Sequence, residues 1–169
     1  MKKIGICAAV LALVNILCCC SGAKDILLQV VPYSGRAQIR YGDSAYTADI
    51  TVGEAGVFTF TVVQPADLCG LRVSMDASGL ELSFAGMTWR GGSSDFPQAA
   101  AALAIQNSFR AASGVAGEHL QETSDGTLVL QGSCPSGDYR FTFDLAGIPQ
   151  ALSIAQLDLE VTFTQEKAA

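Results

Sequence analysis

His119 is the one histidine of the chain, and it stands among Gly117, Glu118, Gln121 and Glu122. A general base must be held beside the proton it takes, and a histidine set among glycine and charge reads instead as an exposed loop residue. No Gly-x-Ser-x-Gly turn is present to raise a serine onto a strand-to-helix elbow. Ser93 and Ser94 follow Gly91-Gly92 and read as a linker. The glycines fall at turns between apolar runs and form no phosphate-cradling loop. Asp76, Asp95, Asp125 and Asp138 stand where turns and caps want a carboxylate, and they lack the spacing of an EF-hand. These residues argue against an enzyme and call for no cofactor and no metal.

The cysteines carry more information. Met1-Lys2-Lys3 precedes Ile4 to Leu17, apolar apart from Gly5 and Asn15, which is the charged start and short apolar middle of an export signal. A helix needs about twenty apolar residues to cross the hydrocarbon core, and this run is shorter. It ends at Cys18, Cys19 and Cys20. Three adjacent cysteines lack the spaced pairs that wrap zinc. They resemble the lipobox of bacterial lipoproteins, in which a Leu three places before a Cys marks that Cys for diacylglycerol attachment. Leu17 stands so to Cys20, and Ile16 to Cys19.

The lipobox likeness implies a signal peptide over 1–19 and a lipid anchor at Cys20. A segment 20–35 would then tether a domain 36–169 to the extracytoplasmic face of the cell membrane. A Cys stands before Cys20 where Gly, Ala or Ser is usual, which leaves Cys18 and Cys19 as the other anchor positions. A diacylated cysteine, with palmitate or a similar chain on its amine, has enough acyl chains for stable anchoring. The plain alternative is an ordinary secretory signal. Beyond it only Cys69 and Cys134 remain. An oxidising compartment would allow them to form a disulfide, contributing up to about 4 kcal/mol; the alternative is two buried thiols.

Charge narrows the partners. The 169-residue chain has a formal charge of −6, which falls to −8 when the signal takes Lys2 and Lys3 with it. Binding to nucleic acid or anionic lipid needs clustered cations. Arg36, Arg40, Arg72, Arg90, Arg110 and Arg140 are scattered. The remaining length, roughly 150 residues, is that of one domain with a core large enough to stand unstapled.

The elements follow from hydrophobic period. Lys24 to Val31 is apolar without a decisive period, a short helix or a first strand. Arg36 to Tyr41 and Ala45 onward read as a hairpin. Tyr46, Ala48, Ile50 and Val52 alternate with polar residues, as do Phe58, Phe60 and Val62, then Leu71, Val73 and Met75, then Leu80, Leu82 and Phe84 leading to Met87 and Trp89. Asp95-Phe96-Pro97 predicts a helix start, and Gln98 to Ala112 a helix that puts Ala102, Ile105, Phe109 and Ala112 on one face. Ser113 to Gly126 reads as a long surface connection. Strands resume at Thr127 to Gln131, at Tyr139, Phe141 and Phe143, at Leu152 and Ile154, and at Leu157 to Phe163. The expected class is α+β, mostly β: a curved antiparallel sheet with one main helix packed on its concave face.

The order of these elements from about Tyr41 to Thr164, with the turns Gln64-Pro-Ala-Asp-Leu68 and Phe84-Ala-Gly-Met87 and the run Tyr139-Arg-Phe-Thr-Phe-Asp-Leu-Ala-Gly-Ile-Pro-Gln150, resembles the outer-membrane lipoprotein carrier fold. More narrowly it is similar to small Firmicutes lipoproteins with this half-barrel, some linked to sporulation and germination. The resemblance implies a half-barrel whose apolar concavity holds an acyl chain or a lipoprotein. One clear helix here, against several in the carrier, implies a smaller hollow. Phe58, Phe60, Phe84, Trp89, Phe141 and Phe143 are the side chains that would touch such a ligand; their other reading is plain core. The alternative function is an envelope adaptor that tethers an enzyme through an exposed patch or sheet edge.

Overall fold

A computed structural model describes residues 32–164, except 93–94, 97–98, 114 and 116–119. The export segment, Cys18 to Cys20, Lys24 to Val31, Ser93, Ser94 and His119 therefore lie outside the described residues.

The strands form a single antiparallel sheet, curved and unclosed. They are β1 (Tyr33–Tyr41), β2 (Ser44–Val52), β3 (Phe58–Gln64), β4 (Arg72–Asp76), β5 (Gly79–Phe84) and β6 (Met87–Gly91), then β7 (Leu120–Glu122), β8 (Leu128–Cys134), β9 (Gly137–Phe143), β10 (Pro149–Ile154) and β11 (Leu159–Thr164). One helix, α1 (Ala100–Ala112), separates the two runs. Spatial order is β6-β5-β4-β3-β2-β1-β11-β10-β9-β8-β7. The chain therefore meanders outward from β1 to one edge, crosses the sheet through α1, and meanders back from the other edge to lay β11 beside β1.

Period-2 alternation builds one apolar face, because residues paired across neighbouring strands point to the same side. The row Ile39, Val161, Leu152, Phe141, Leu130 and Leu120 crosses from β1 to the β7 edge. The row Gly35, Ile50, Phe60, Val73, Leu82 and Trp89 crosses to the β6 edge. The opposite face carries the half-buried pair of Arg36 with Asp49 and the exposed pairs of Arg40 with Asp158 and Glu160.

Helix α1 buries Ala102, Ile105, Phe109 and Ala112, the expected face, together with Ala101, Ala104 and Ser108. Phe109 is the contact with the sheet: its ring meets Phe141 edge-on at 5.0 Å, Phe163 at 5.7 Å and Tyr33 at 5.6 Å. The described helix runs from Ala100, and Ala99 before it provides no side-chain cap. Asp95 accepts the Gly92 N–H at 2.8 Å in the turn after β6, while Pro97 and Gln98, on which the expected helix start falls, lie outside the described residues. One local expectation is corrected: the polar connection after the helix is not free of strand. It contains β7, which pairs with β8.

Candidate functional site

Burial along the apolar face is uneven, and that unevenness makes the site. Phe109 and the neighbouring helix side chains close over the half built from β1 and β8 to β11, where Phe141, Phe143 and Ile154 are fully buried. The wing of β4, β5 and β6 carries the same apolar face outward past the helix. Along its row Ile50, Phe60 and Val73 are buried, Leu82 is half-buried and Trp89 is 41% exposed.

Between this wing and the N-terminal turn of α1 lies a chamber of about 620 Å³. Phe60, Val62, Val73, Ala101 and Ala102 line it from within, all of them buried. Tyr41, Tyr46, Leu68, Leu71 and Phe84 are half-buried around it, while Ser44 and Trp89 are exposed and mark the mouth. The mouth lies toward the β1–β2 and β5–β6 turns, at the end of the sheet away from Tyr33. No charged side chain lines the chamber. Tyr41, Tyr46, Ser44 and Trp89 are the lining residues that carry a polar side-chain group. Such a lining excludes an ion, whose desolvation nothing would repay, and accepts an uncharged apolar chain with a hydrogen-bonding end near the mouth.

The predicted ligand residues divide accordingly. Phe60, Phe84 and Trp89 line the chamber. Phe58, Phe141 and Phe143 do not: all three are fully buried, and Phe141 stacks on Phe143 at 4.4 Å. Alternation places all six on one face, but which of them the helix covers depends on where α1 crosses. Sequence reasoning places Tyr46 and Leu71 on the apolar face without naming them as lining residues, and misses Tyr41, Leu68 and Phe96, which sit at a strand end or in turns where period carries no signal.

The disulfide reading is also corrected. Cys69 and Cys134 are both free thiols. Cys69 follows β3 in the β6 half of the sheet; Cys134 ends β8 near the opposite edge, with its thiol 3.4 Å from the Gly137 carbonyl oxygen. Nor are both buried, because Cys69 is exposed.

Among the described residues no group of three or more His, Cys, Asp or Glu side chains stands close enough to hold a metal ion. No described helix is long and apolar enough to cross a membrane.

No protein-family model matches the chain, and no curated protein does. Among solved structures, it is similar to an uncharacterized conserved protein from Thermus thermophilus, with 10% identity, a TM-score of 0.47 and 85% of each chain covered.

Proposed function

We propose that this chain is a non-enzymatic envelope lipoprotein, held at the extracytoplasmic face of the membrane by a lipid on Cys20, that receives an uncharged acyl chain in its wing chamber. The observation that carries this reading is the chamber of about 620 Å³ without a charged group on its wall. Pockets of that size hold small apolar ligands and bury most of their surface. Phe60, Phe84 and Trp89 would make contact with the chain, and Tyr41, Tyr46 and Ser44 would meet its polar end.

Native mass spectrometry of the chain from Ser21 onward, together with titration by an apolar fluorescent dye, tests this. A co-purifying lipid, or saturable dye binding that Ala102→Phe abolishes, is the expected result. No lipid and no dye response would sink it. A second reading, an adaptor that tethers an envelope enzyme, draws on the edge strand β6, where Met87 is 54% exposed beside Trp89. Capture of one stoichiometric envelope protein, lost in Met87→Asp but kept in Ala102→Phe, would favour it.

A further inference from the structure

The described domain exposes four large apolar side chains: Val57, Met87, Trp89 and Leu145. Val57 and Leu145 stand apart in separate turns. Met87 and Trp89 stand two residues apart on β6, so both point to the concave side. Met87 pairs with Phe84 and Trp89 with Leu82, and the apolar lining of the chamber thus runs outward without a break onto these two side chains. Tyr41 and Tyr46 line the same chamber across the sheet.

We infer that Met87 and Trp89 are a foot by which the domain stands, chamber mouth first, on the surface of a zwitterionic phospholipid bilayer of no net charge. The inference rests on the proposed lipid reading for its occupant, but its geometry is independent of what fills the chamber. Trp and Tyr prefer the level of the headgroups, where an apolar ring and a polar edge are both satisfied. The chain's formal charge of −6, together with exposed Asp43 in the β1–β2 turn beside the mouth, selects neutral over anionic lipid. Twelve residues separate Cys20 from Tyr33. Extended, they span about 40 Å, more than the length of β1, so an anchor at Cys20 allows the mouth, at the far end of the sheet, to reach the membrane.

Trp89 is the only tryptophan of the chain, so it reports its own position. The full chain, purified from membranes in its processed form, is reconstituted on phosphatidylcholine vesicles, with and without lipids brominated along the acyl chain. The expected result is a shift of Trp89 emission to shorter wavelength, quenching by the brominated lipids and loss of quenching by aqueous iodide. Met87→Asp should weaken all three. Added salt should leave them unchanged, and anionic lipid should not strengthen them. A tryptophan moved to the other wing, Leu145→Trp in a Trp89→Phe background, should stay open to iodide.

The plugged variants Ala102→Phe and Val73→Phe separate this inference from the chamber's own function. If dye binding is lost while quenching persists, the foot stands whatever the chamber holds. If no form of the protein binds dye and Trp89 is still quenched, the chamber reading fails and the foot survives. Quenching that disappears with the plug would mean that Trp89 was reading lipid inside the chamber, which overturns the foot. So would a Trp89 equally open to iodide with and without vesicles.

Discussion

Tyr139 lies across Gly132, its partner on the neighbouring strand, so closely that a Cβ on the glycine would stand 2.7 Å from the phenolic oxygen and 2.9 Å from the ring carbon that bears it. The ring occupies the place of the missing side chain and covers backbone that would otherwise be open. Tyr33 treats Gly35 in the same way within β1, where a Cβ would meet the ring carbon at 2.9 Å. Gly132→Ala should therefore force the buried Tyr139 ring aside. A loss of about 1–3 kcal/mol is expected, the usual cost of overpacking. Chemical denaturation measures it, and an unchanged midpoint would contradict the contact.

Phe109 joins the helix to the sheet through Phe141, Phe163 and Tyr33. Phe109→Ala should cost about 3–5 kcal/mol, the range for deleting a buried aromatic. Phe109→Leu, which keeps most of the volume, should cost less. The chamber lies at the other end of the helix, by Ala101 and Ala102. Phe109→Leu should accordingly leave dye binding intact under conditions where the protein is folded.

The Tyr33 hydroxyl is buried and has no hydrogen-bond partner among the described residues. Burial pushes its phenol up to about 12 from an ordinary value of 10. Burial raises Tyr139 as well, with the Cys134 thiol adding to the rise. Between pH 10 and 12 the unfolded chain releases a Tyr33 proton that the folded chain keeps, so stability falls as pH rises across that window and is whole below it. Tyr33→Phe should make the fall shallower. At neutral pH it should also raise stability by up to about 1 kcal/mol, since an unmet polar group is removed from the core. A destabilised Tyr33→Phe would show that the hydroxyl is bonded after all.

Both thiols beyond residue 20 should alkylate under non-reducing conditions once the chain is unfolded. In the folded protein Cys69, which is exposed, should react ahead of Cys134, which is half-buried beside Ser108. Reductant should leave the melting temperature unchanged. Peptide mass mapping that recovers a bridged Cys69–Cys134 pair would refute this.

Asp144 accepts N–H hydrogen bonds from Ala146 and Ile148, each at 2.9 Å, and so shapes the turn from β9 into β10. Asp144→Ala should cost about 1–2 kcal/mol, and Asp144→Asn, which keeps one acceptor oxygen, about half of that. Arg36→Ala is the contrast. Its ion pair with Asp49 is close to half exposed, and such pairs contribute less than about 1 kcal/mol.

Much of the fold was legible because β structure writes its buried face directly into alternate residues. Phe58, Phe60 and Val62, Tyr139, Phe141 and Phe143, and Leu159, Val161 and Phe163 are all buried, as their alternation requires. The face of α1 was legible for the same reason at a different period. What misled was a short stretch without a period. Strand β7 is three residues long in a polar stretch, too short for alternation to register.

Sequence alone determined which side of every long strand would be greasy, and that one helix would have to shelter that side, because side-chain direction in strand and helix is set by backbone geometry that neighbours do not alter. Tertiary structure alone decided where the shelter ends. The helix closes over Phe141 and Phe143 and stops short of Leu82, Phe84 and Trp89, although all five alternate in the same way. Coverage depends on the path of α1 from one sheet edge to the other, a path settled by the packing of Phe109 against residues from β1, β9 and β11 that lie far apart in the chain.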